Sequence, residues 1–387
     1  MSDITVVGAG PAGTLSARYL AMSGREVTVL EEHSQAGIPV HCAGVVSPSV
    51  LQNLDVRPRI FGSITSADVV LPDGTKIETS KKVPYAFMID RADLDVKLAD
   101  RAVAAGVDIK YGVHCKSYTT CQDRIIAHTN GIDYASDLLI GADGQSSLIA
   151  ASIGSNQVEF NLLGIQVDLK CRPEQMDKMI LRLGNNVAPG FFAWQLPIDD
   201  VVTRFGLAIR PEYGAPSEYL NNLLRSLGLQ DNERLATYAG KIPMGGRRTT
   251  YADRILLVGD AAGQVKPVSG GGLYPITKVI PILKDTVDRA YSMKLFNSSI
   301  LALYERGWKR EIGKSISNGM RLRKFYDRLR DEDLNTIGHL FAREDITAEL
   351  CDIDIDDPGN VVKPIMHIKG VKSQILKTYL SARKASR

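Results

Sequence analysis

Ile4-Thr5-Val6-Val7-Gly8-Ala9-Gly10-Pro11-Ala12-Gly13 is an apolar tetrad that runs into three glycines spaced GxGxxG, with a proline at the start of a helical run to Ser23. An apolar strand from Glu26 to Leu30 follows, so the segment predicts a βαβ unit. Without side chains, Gly8, Gly10 and Gly13 let the backbone turn tightly, approach a pyrophosphate and aim helix N–H groups at it, with Pro11 and Ala12 leading into the helix and Ala12 counted among the cofactor-binding residues. Glu31 ends the second strand, where a carboxylate can accept ribose hydroxyls. A merely structural turn is the competing reading, and strand, helix and acid in register argue against it. An acid at this point suits the unphosphorylated ribose of FAD or NAD, so the triad alone does not choose between them.

Outward from this unit, Val83 to Gly106 predicts an extended segment and then a helix, Arg91 to Ala105, with Leu94, Leu98, Ala102 and Ala105 on one face. A further crossover is expected through Val107 to Ile109. Asp137 to Ala142 and Arg254 to Gly259 are short, apolar and bounded by turn residues, as in strands buried on both faces. Together these pieces predict a discontinuous Rossmann-like nucleotide domain, residues 1–157 and 247–298, with 62–90 partly contributing to a second sheet. The β-rich stretch 158–246 is expected to form a substrate domain, from Leu162–Leu169, Met179–Leu183, Phe191–Leu196 and Arg204–Ile209. Residues 299–387 are expected to be a helical C-terminal region with a basic tail, after a helix Leu273–Ser292 and through Ser299–Arg330 and Leu334–Phe341.

At 387 residues, with 44% hydrophobic and 24% charged residues, the chain can bury a large core, which excludes a disordered or small disulfide-rich class. Five cysteines without CxxC pairing argue against a disulfide framework or a metal site. The first strand begins almost at Met1, leaving no room for a signal peptide, and no stretch approaches a spanning helix. A cytoplasmic protein is expected. Net charge is only +3, but Glu344–Asp357 is acidic while Gly359–Arg387 carries seven Lys or Arg and no carboxylate. That tail is either a solvated helix face with a frayed end or a patch for anionic lipid headgroups at the inner face of the cell membrane. Nucleic acid is not expected, because no recognition motif or aromatic interleaving accompanies the charge.

Chemistry is concentrated in a few further segments. Asp143 and Gly144 follow one buried strand, and LLVGDAAG (256–263), Pro267 and Gly270–Gly272 follow another. The second pattern resembles the ribityl-binding segment of the glutathione-reductase-type flavoproteins, including the aromatic hydroxylases. That resemblance implies that Asp260 accepts a ribityl hydroxyl, and that N–H groups near Gly271, Gly272 and Leu273 face the flavin ring. It also places Arg91, in RADLD, against FAD and counts Cys115 among the cofactor-binding residues. An Asp–Gly turn capping a strand is the plain reading of Asp143, and a solvated surface residue that of Arg91.

Two segments narrow the family. Cys42, Ala43 and Gly44 in PVHCAG resemble the lone cysteine and small residues of geranylgeranyl reductases, where the backbone passes close to the isoalloxazine. PGFFAWQLP (189–197) is similar to their PxxYxWxFP signature, keeping Pro189, Trp194 and Pro197 but with Phe192 for tyrosine and Leu196 for phenylalanine. Both exchanges keep bulk and apolarity, so a channel for an isoprenoid is preserved and only a role for the lost hydroxyl is put in doubt. A lone cysteine is otherwise a small buried hydrophobe, and the aromatics otherwise a strand core.

The resemblance covers roughly residues 1 to 300. It implies the p-hydroxybenzoate hydroxylase-like architecture and an FAD-dependent reductase, acting on CH–CH groups, that saturates isolated double bonds of geranylgeranyl chains, most specifically those of archaeal membrane ether lipids. Substrate contacts fall to Pro189, Phe192, Trp194 and Pro197. The proton comes from Cys42, from water near Lys266 and Pro267, or from a residue not yet identified. The reduced donor is ferredoxin, NAD(P)H or a deazaflavin, since no second GxGxxG marks a nicotinamide domain. A monomer is expected. The alternatives are a flavin monooxygenase of the aromatic hydroxylase type and a flavin-carrying prenyl-lipid binding or electron-transfer protein.

Overall fold

Along the opening strand, Ile4–Val7, side chains alternate between two cores, because successive residues of a strand point to opposite faces. Ile4 and Val6 join one cluster with Leu15, Leu94 and Leu283, while Val7 joins another with Leu30, Leu139 and Leu257. Burial on both faces is why these strands read as unbroken apolar runs. The computed structural model describes residues 2–155, 158–351, 355–356, 367–368, 370–373 and 375–378. The basic tail expected over Gly359–Arg387 lies largely outside the described residues.

The nucleotide sheet has six strands in the order Tyr251–Ala252, Ile255–Leu257, Leu138–Gly141, Ile4–Val7, Val27–Glu31 and Asp108–Tyr111, parallel except for the first. Helices Pro11–Ala21, Arg91–Ala104 and Leu273–Met293 cover one face. A meander of Cys115–Thr120, Ile125–Thr129 and Tyr134–Ser136, with the short helix Leu148–Ser152, covers the other. Strand, glycine turn and helix thus form where the sequence predicts them.

A second sheet has seven strands in the order Arg234–Met244, Phe160–Lys170, Val202–Ile209, Ala193–Pro197, Lys178–Arg182, Ser66–Val70 and Lys76–Ser80. Its two faces differ in chemistry. Val167, Leu169, Phe205, Leu207 and Ile209 point one way and are covered by helix Pro216–Ser226. That helix lies inside a stretch expected to be β-rich. It forms because Leu220, Leu223 and Leu224, at i, i+3 and i+4, can cap the apolar side of the sheet.

The opposite face carries, in cross-strand register, the row Tyr238, Gln166, Gly206, Trp194 and the row Ala236, Asp168, Arg204, Leu196. Gly206 has no room for a side chain, since a Cβ would stand 2.5 Å from the Trp194 indole and 2.6 Å from Gln166 Cβ. The Trp194 indole therefore lies directly over Gly206.

The helical C-terminal part begins as Ser298–Trp308, passes through a π turn over Lys309–Gly313 and continues as Lys314–Tyr326, so the expected single helix to Arg330 is underwound once and ends earlier. Helices Asp331–Phe341 and Glu344–Leu350 follow. Among the described residues no helix is long and apolar enough to cross a membrane, and no three His, Cys, Asp or Glu are grouped to hold a metal. The five cysteines are free thiols.

Arg323 ties this region to both sheets. Its guanidinium is buried and donates to the carbonyl oxygens of Gly190 (2.7 Å), Val268 (3.0 Å) and Pro267 (3.2 Å). The ring of Phe191 lies 4.5 Å from the same group. Arg323→Met would fill similar space but leave those carbonyls without donors, costing about 3 kcal/mol. Thermal unfolding of the variant is expected to show a midpoint several degrees below wild type, and an unchanged midpoint would contradict the clamp.

Candidate active site

Three glycine-bearing turns converge at the carboxyl ends of the nucleotide strands. A Cβ on Gly8 (φ +101°) would stand 2.5 Å from the Ala142 carbonyl oxygen, and one on Gly13 1.9 Å from that of Gly8. A Cβ on Gly259 would stand 2.6 Å from that of Ala12. These approaches bring together the first loop, the Asp143–Gly144 turn and the GDAAG turn. Gly10 and Gly144, by contrast, would project a Cβ into open space. No side chain caps helix Pro11–Ala21 at Gly10, or helix Leu273–Met293 at Gly272, so both positive helix ends stay available to an anion.

Glu31 is buried at the edge of this cradle. Its carboxylate accepts from Ala9 N at 2.7 Å and from His33 N at 2.9 Å. The acid therefore sits against the glycine loop. Asp143 has a second task, because its oxygens accept from Ser147 Oγ (2.6 Å) and Ile149 N (3.1 Å) and so brace the start of a helix. Burial raises its carboxyl above the usual value, with those hydrogen bonds opposing. Cys115 is buried beside it at the head of the meander, and burial pushes its thiol up to about 11.

Asp260 follows the strand Ile255–Leu257, partly buried on the GDAAG turn. Burial raises its carboxyl, and the nearby Arg91 guanidinium works against that rise. Its turn is locked from behind by Gln264, which accepts from Gly259 N (2.8 Å) and donates to the Tyr304 hydroxyl (2.9 Å).

Arg91 is not a solvated surface residue. Its side chain is 12% exposed and its Nη2 donates to both oxygens of Asp95, at 2.9 and 3.1 Å. Burial lowers the guanidinium, but Asp95 and the Cys42 thiol raise it by more. Its Nε is buried without a partner among the described residues.

The PVHCAG segment leaves the nucleotide sheet and lands on the second one. His41 Nδ1 lies 2.7 Å from Ala239 O, Gln166 Nε2 donates to Cys42 O at 3.0 Å, and Arg204 Nη1 donates to Ala43 O at 2.9 Å. Gly44 (φ +86°) lies so close to the Ile89 carbonyl oxygen, 2.5 Å from a built Cβ, that a side chain there is excluded. Ala43 packs in one apolar cluster with Trp194 and Leu196, and Trp194 in another with Phe192 and Ile242. A Cβ on Gly270 would meet Phe191 at 3.6 Å and Ile242 at 3.3 Å. The aromatic motif is thus adjacent both to the cysteine segment and to the loop before helix Leu273–Met293. Pro189 accepts from Arg210 N at 3.1 Å in the turn that leads into it, and Pro197 ends its strand. Lys266 Nζ is held by Asp356 Oδ1 (2.7 Å) and Ile355 O (3.0 Å), so its ammonium is engaged by the C-terminal segment.

Several residues here were not singled out from the sequence. Asp95 was legible as an acid four residues after Arg91. Gln166 and Asp168 stand two apart in an otherwise apolar strand, a spacing that puts both on one face. The Lys266–Asp356 pair, ninety residues apart in sequence, carried no local signal.

The cradle fits FAD: among the described residues it has glycine turns with open approaches, two helix N-termini free of side-chain caps, a buried acid, Glu31, against the glycine loop, an acid on the GDAAG turn with no hydrogen-bond partner and a buried guanidinium nitrogen without one. Asp260→Asn tests the assignment on two readouts. Because the folded carboxyl is raised above the usual 3.8, its contribution to stability is complete below that value and is lost as pH rises through the folded one. Flavin-free Asp260→Asn is therefore expected to be more stable than flavin-free wild type at neutral pH, with the difference shrinking toward about pH 4, and yet to purify without yellow colour. A yellow variant with an unchanged pH-stability curve would remove Asp260 from the site.

Residues 1–274 match the FAD binding domain family. The digeranylgeranylglycerophospholipid reductase 2 of Methanothermobacter thermautotrophicus is 30% identical, over 89% of this chain and 93% of its own length. The digeranylgeranylglycerophospholipid reductase of Methanothrix thermoacetophila is 29% identical, over 89% of this chain and 92% of its own length. Among solved structures, a geranylgeranyl bacteriochlorophyll reductase-like protein from Thermoplasma acidophilum superposes with a TM-score of 0.87 at 18% identity, covering 97% of this chain and 99% of that one. Halogenase PltM in complex with phloroglucinol and FAD superposes with 0.71 at 15%, covering 100% and 93%. The two structures share the fold seen here. With its FAD cradle, its cysteine segment and this extent of similarity, the chain belongs to the FAD binding domain family and to the family of the digeranylgeranylglycerophospholipid reductases.

Proposed function

We propose that the protein is an FAD-dependent reductase that saturates isolated carbon–carbon double bonds in the geranylgeranyl chains of archaeal membrane ether phospholipids. The observation that carries this reading is the seating of the Cys42 segment on the aromatic face of the second sheet, alongside the flavin loop. Relatives that share about 90% of their length with this chain are named for that reaction.

When bound, reduced FAD would supply the hydride. Asp260 and Glu31 would hold its ribityl and ribose hydroxyls, and the N-terminus of helix Leu273–Met293 would favour negative charge on a reduced flavin. Phe192 and Trp194 offer the prenyl chain an apolar surface worth ~25 cal/mol per Å² removed from water. Keeping water away from the reacting carbons matters because an unactivated alkene is a poor hydride acceptor that must be closely aligned. The proton is donated from Cys42 Sγ, which is positioned by a hydrogen bond from Gly44 N at 3.5 Å.

Reducing equivalents arrive from ferredoxin, NAD(P)H or a deazaflavin. The protein works as a monomer, cytoplasmic and in peripheral contact with the inner face of the membrane that holds its substrate.

Anaerobic incubation of chemically reduced protein with a geranylgeranyl phospholipid tests this. Mass spectrometry is expected to show one H2 added per double bond, whereas rapid oxygen consumption with NAD(P)H and no saturated lipid would identify a monooxygenase instead. Trp194→Ala is expected to stay yellow while losing ~100-fold in lipid turnover. Normal turnover in that variant would place the prenyl chain elsewhere.

A further inference from the structure

Three consecutive residues of the cysteine segment are tied to three adjacent strands of the second sheet. His41 meets Ala239 O on Arg234–Met244, Cys42 O accepts from Gln166 on Phe160–Lys170, and Ala43 O accepts from Arg204 on Val202–Ile209. The anchors are themselves fixed. Arg204 is 6% exposed and forms a two-pronged pair with Asp168, Nε to Oδ1 at 2.6 Å and Nη2 to Oδ2 at 2.9 Å. The Tyr238 hydroxyl donates to the same carboxylate at 3.3 Å.

Gln166 is the least explained of these residues. It is 3% exposed, and the bond to Cys42 O is the contact its amide makes, with Oε1 buried and unpartnered among the described residues. A leucine of similar volume would fill the space without desolvating an amide. Gly240 beneath His41 leaves room for the segment to lie down on the sheet, while Gly206 beside Gln166 leaves room for the Trp194 indole. A carbonyl oxygen can only accept, so the atom facing Cys42 O is the amide nitrogen.

We propose that Gln166 is the positioning residue for Cys42. Its amide fixes the Cys42 peptide across the junction of the two sheets, with the Arg204–Asp168 pair fixing the next peptide, so that the thiol faces the reacting alkene at a set distance. This rests on the reductase reading given above. Gln166 acts through Cys42, whose carbonyl oxygen its amide holds.

Two holoenzyme variants test it. Gln166→Leu removes the donor, and is expected to keep its yellow spectrum and KM while kcat falls ~10- to 100-fold. Iodoacetamide should alkylate its Cys42 several-fold faster than in wild type, with Cys42→Ser supplying the background from the other thiols. Gln166→Glu keeps the shape and makes the donor depend on pH. Protonated, its carboxyl donates to Cys42 O; ionised, it repels it.

Burial disfavours the ionised form, while Arg204 favours it and Asp168 opposes it. Among the described residues, Tyr238 and His41 on the neighbouring strand and segment, and Cys42 with the Arg91 beside it, are further charged or titratable groups facing that point. The ratio of variant to wild-type turnover is therefore expected to rise as pH falls, an effect that loss of packing would not produce. Wild-type turnover and alkylation in Gln166→Leu, or a pH-independent ratio in Gln166→Glu, would overturn the proposal. If Gln166→Leu does not fold, Gln166→Glu decides alone. If wild-type protein reduces no lipid, the functional reading fails, while the alkylation rates still report on whether Gln166 holds Cys42.

Discussion

Gly13 stands so near Gly8 that an added Cβ would lie 1.9 Å from the Gly8 carbonyl oxygen, and Gly8 in turn is pressed against Ala142. These contacts between backbones, closer than any side chain permits, set the rest of the structure. They draw the ends of strands Ile4–Val7, Leu138–Gly141 and Ile255–Leu257 to one point and aim the N-terminus of helix Pro11–Ala21 across it. The GDAAG turn joins them through Gly259 against Ala12. A substituted backbone would push these turns apart, and with them the cradle for the cofactor.

The second sheet does different work with its two faces. One is an ordinary apolar core, sealed by Leu220, Leu223 and Leu224. The other is polar and aromatic by turns, with Gln166, Asp168 and Arg204 beside Trp194 and Leu196. A buried ion pair such as Arg204–Asp168 contributes little net stability when compared with apolar residues of equal volume. Its worth here is directional, since the fork of Asp168 leaves Arg204 Nη1 free to hold Ala43 O. The same face thus combines an apolar surface with fixed donors to the peptide that carries the thiol.

The C-terminal helices complete the site from outside it. Arg323 clamps the turn before Phe191 to the loop at Pro267 and Val268, and Tyr304 braces Gln264 behind the GDAAG turn. Asp356 reaches Lys266 and also the hydroxyls of Ser47 and Ser49, just beyond the cysteine segment. A region without a recognisable motif thereby supports two segments that have one.

The local pattern determined much of this protein. Apolar runs ending in glycine turns specified the nucleotide sheet, and the GxGxxG and GDAAG spacings specified a dinucleotide cofactor, because both depend on residues close together in the chain. The aromatic order of 189–197 and the lone Cys42 pointed to a prenyl substrate for the same reason. Helix Pro216–Ser226 was not foreseen, because its short leucine stripe gains its value only when the apolar face of the sheet stands opposite. Nor did spacing show that Arg91 would turn inward to Cys42, that Gln166 would face Cys42 across 124 residues, or that Asp356 would close on Lys266. Hydrogen bonds and ion pairs between distant strands leave no periodicity in a sequence; the folded sheets alone bring those donors and acceptors within reach.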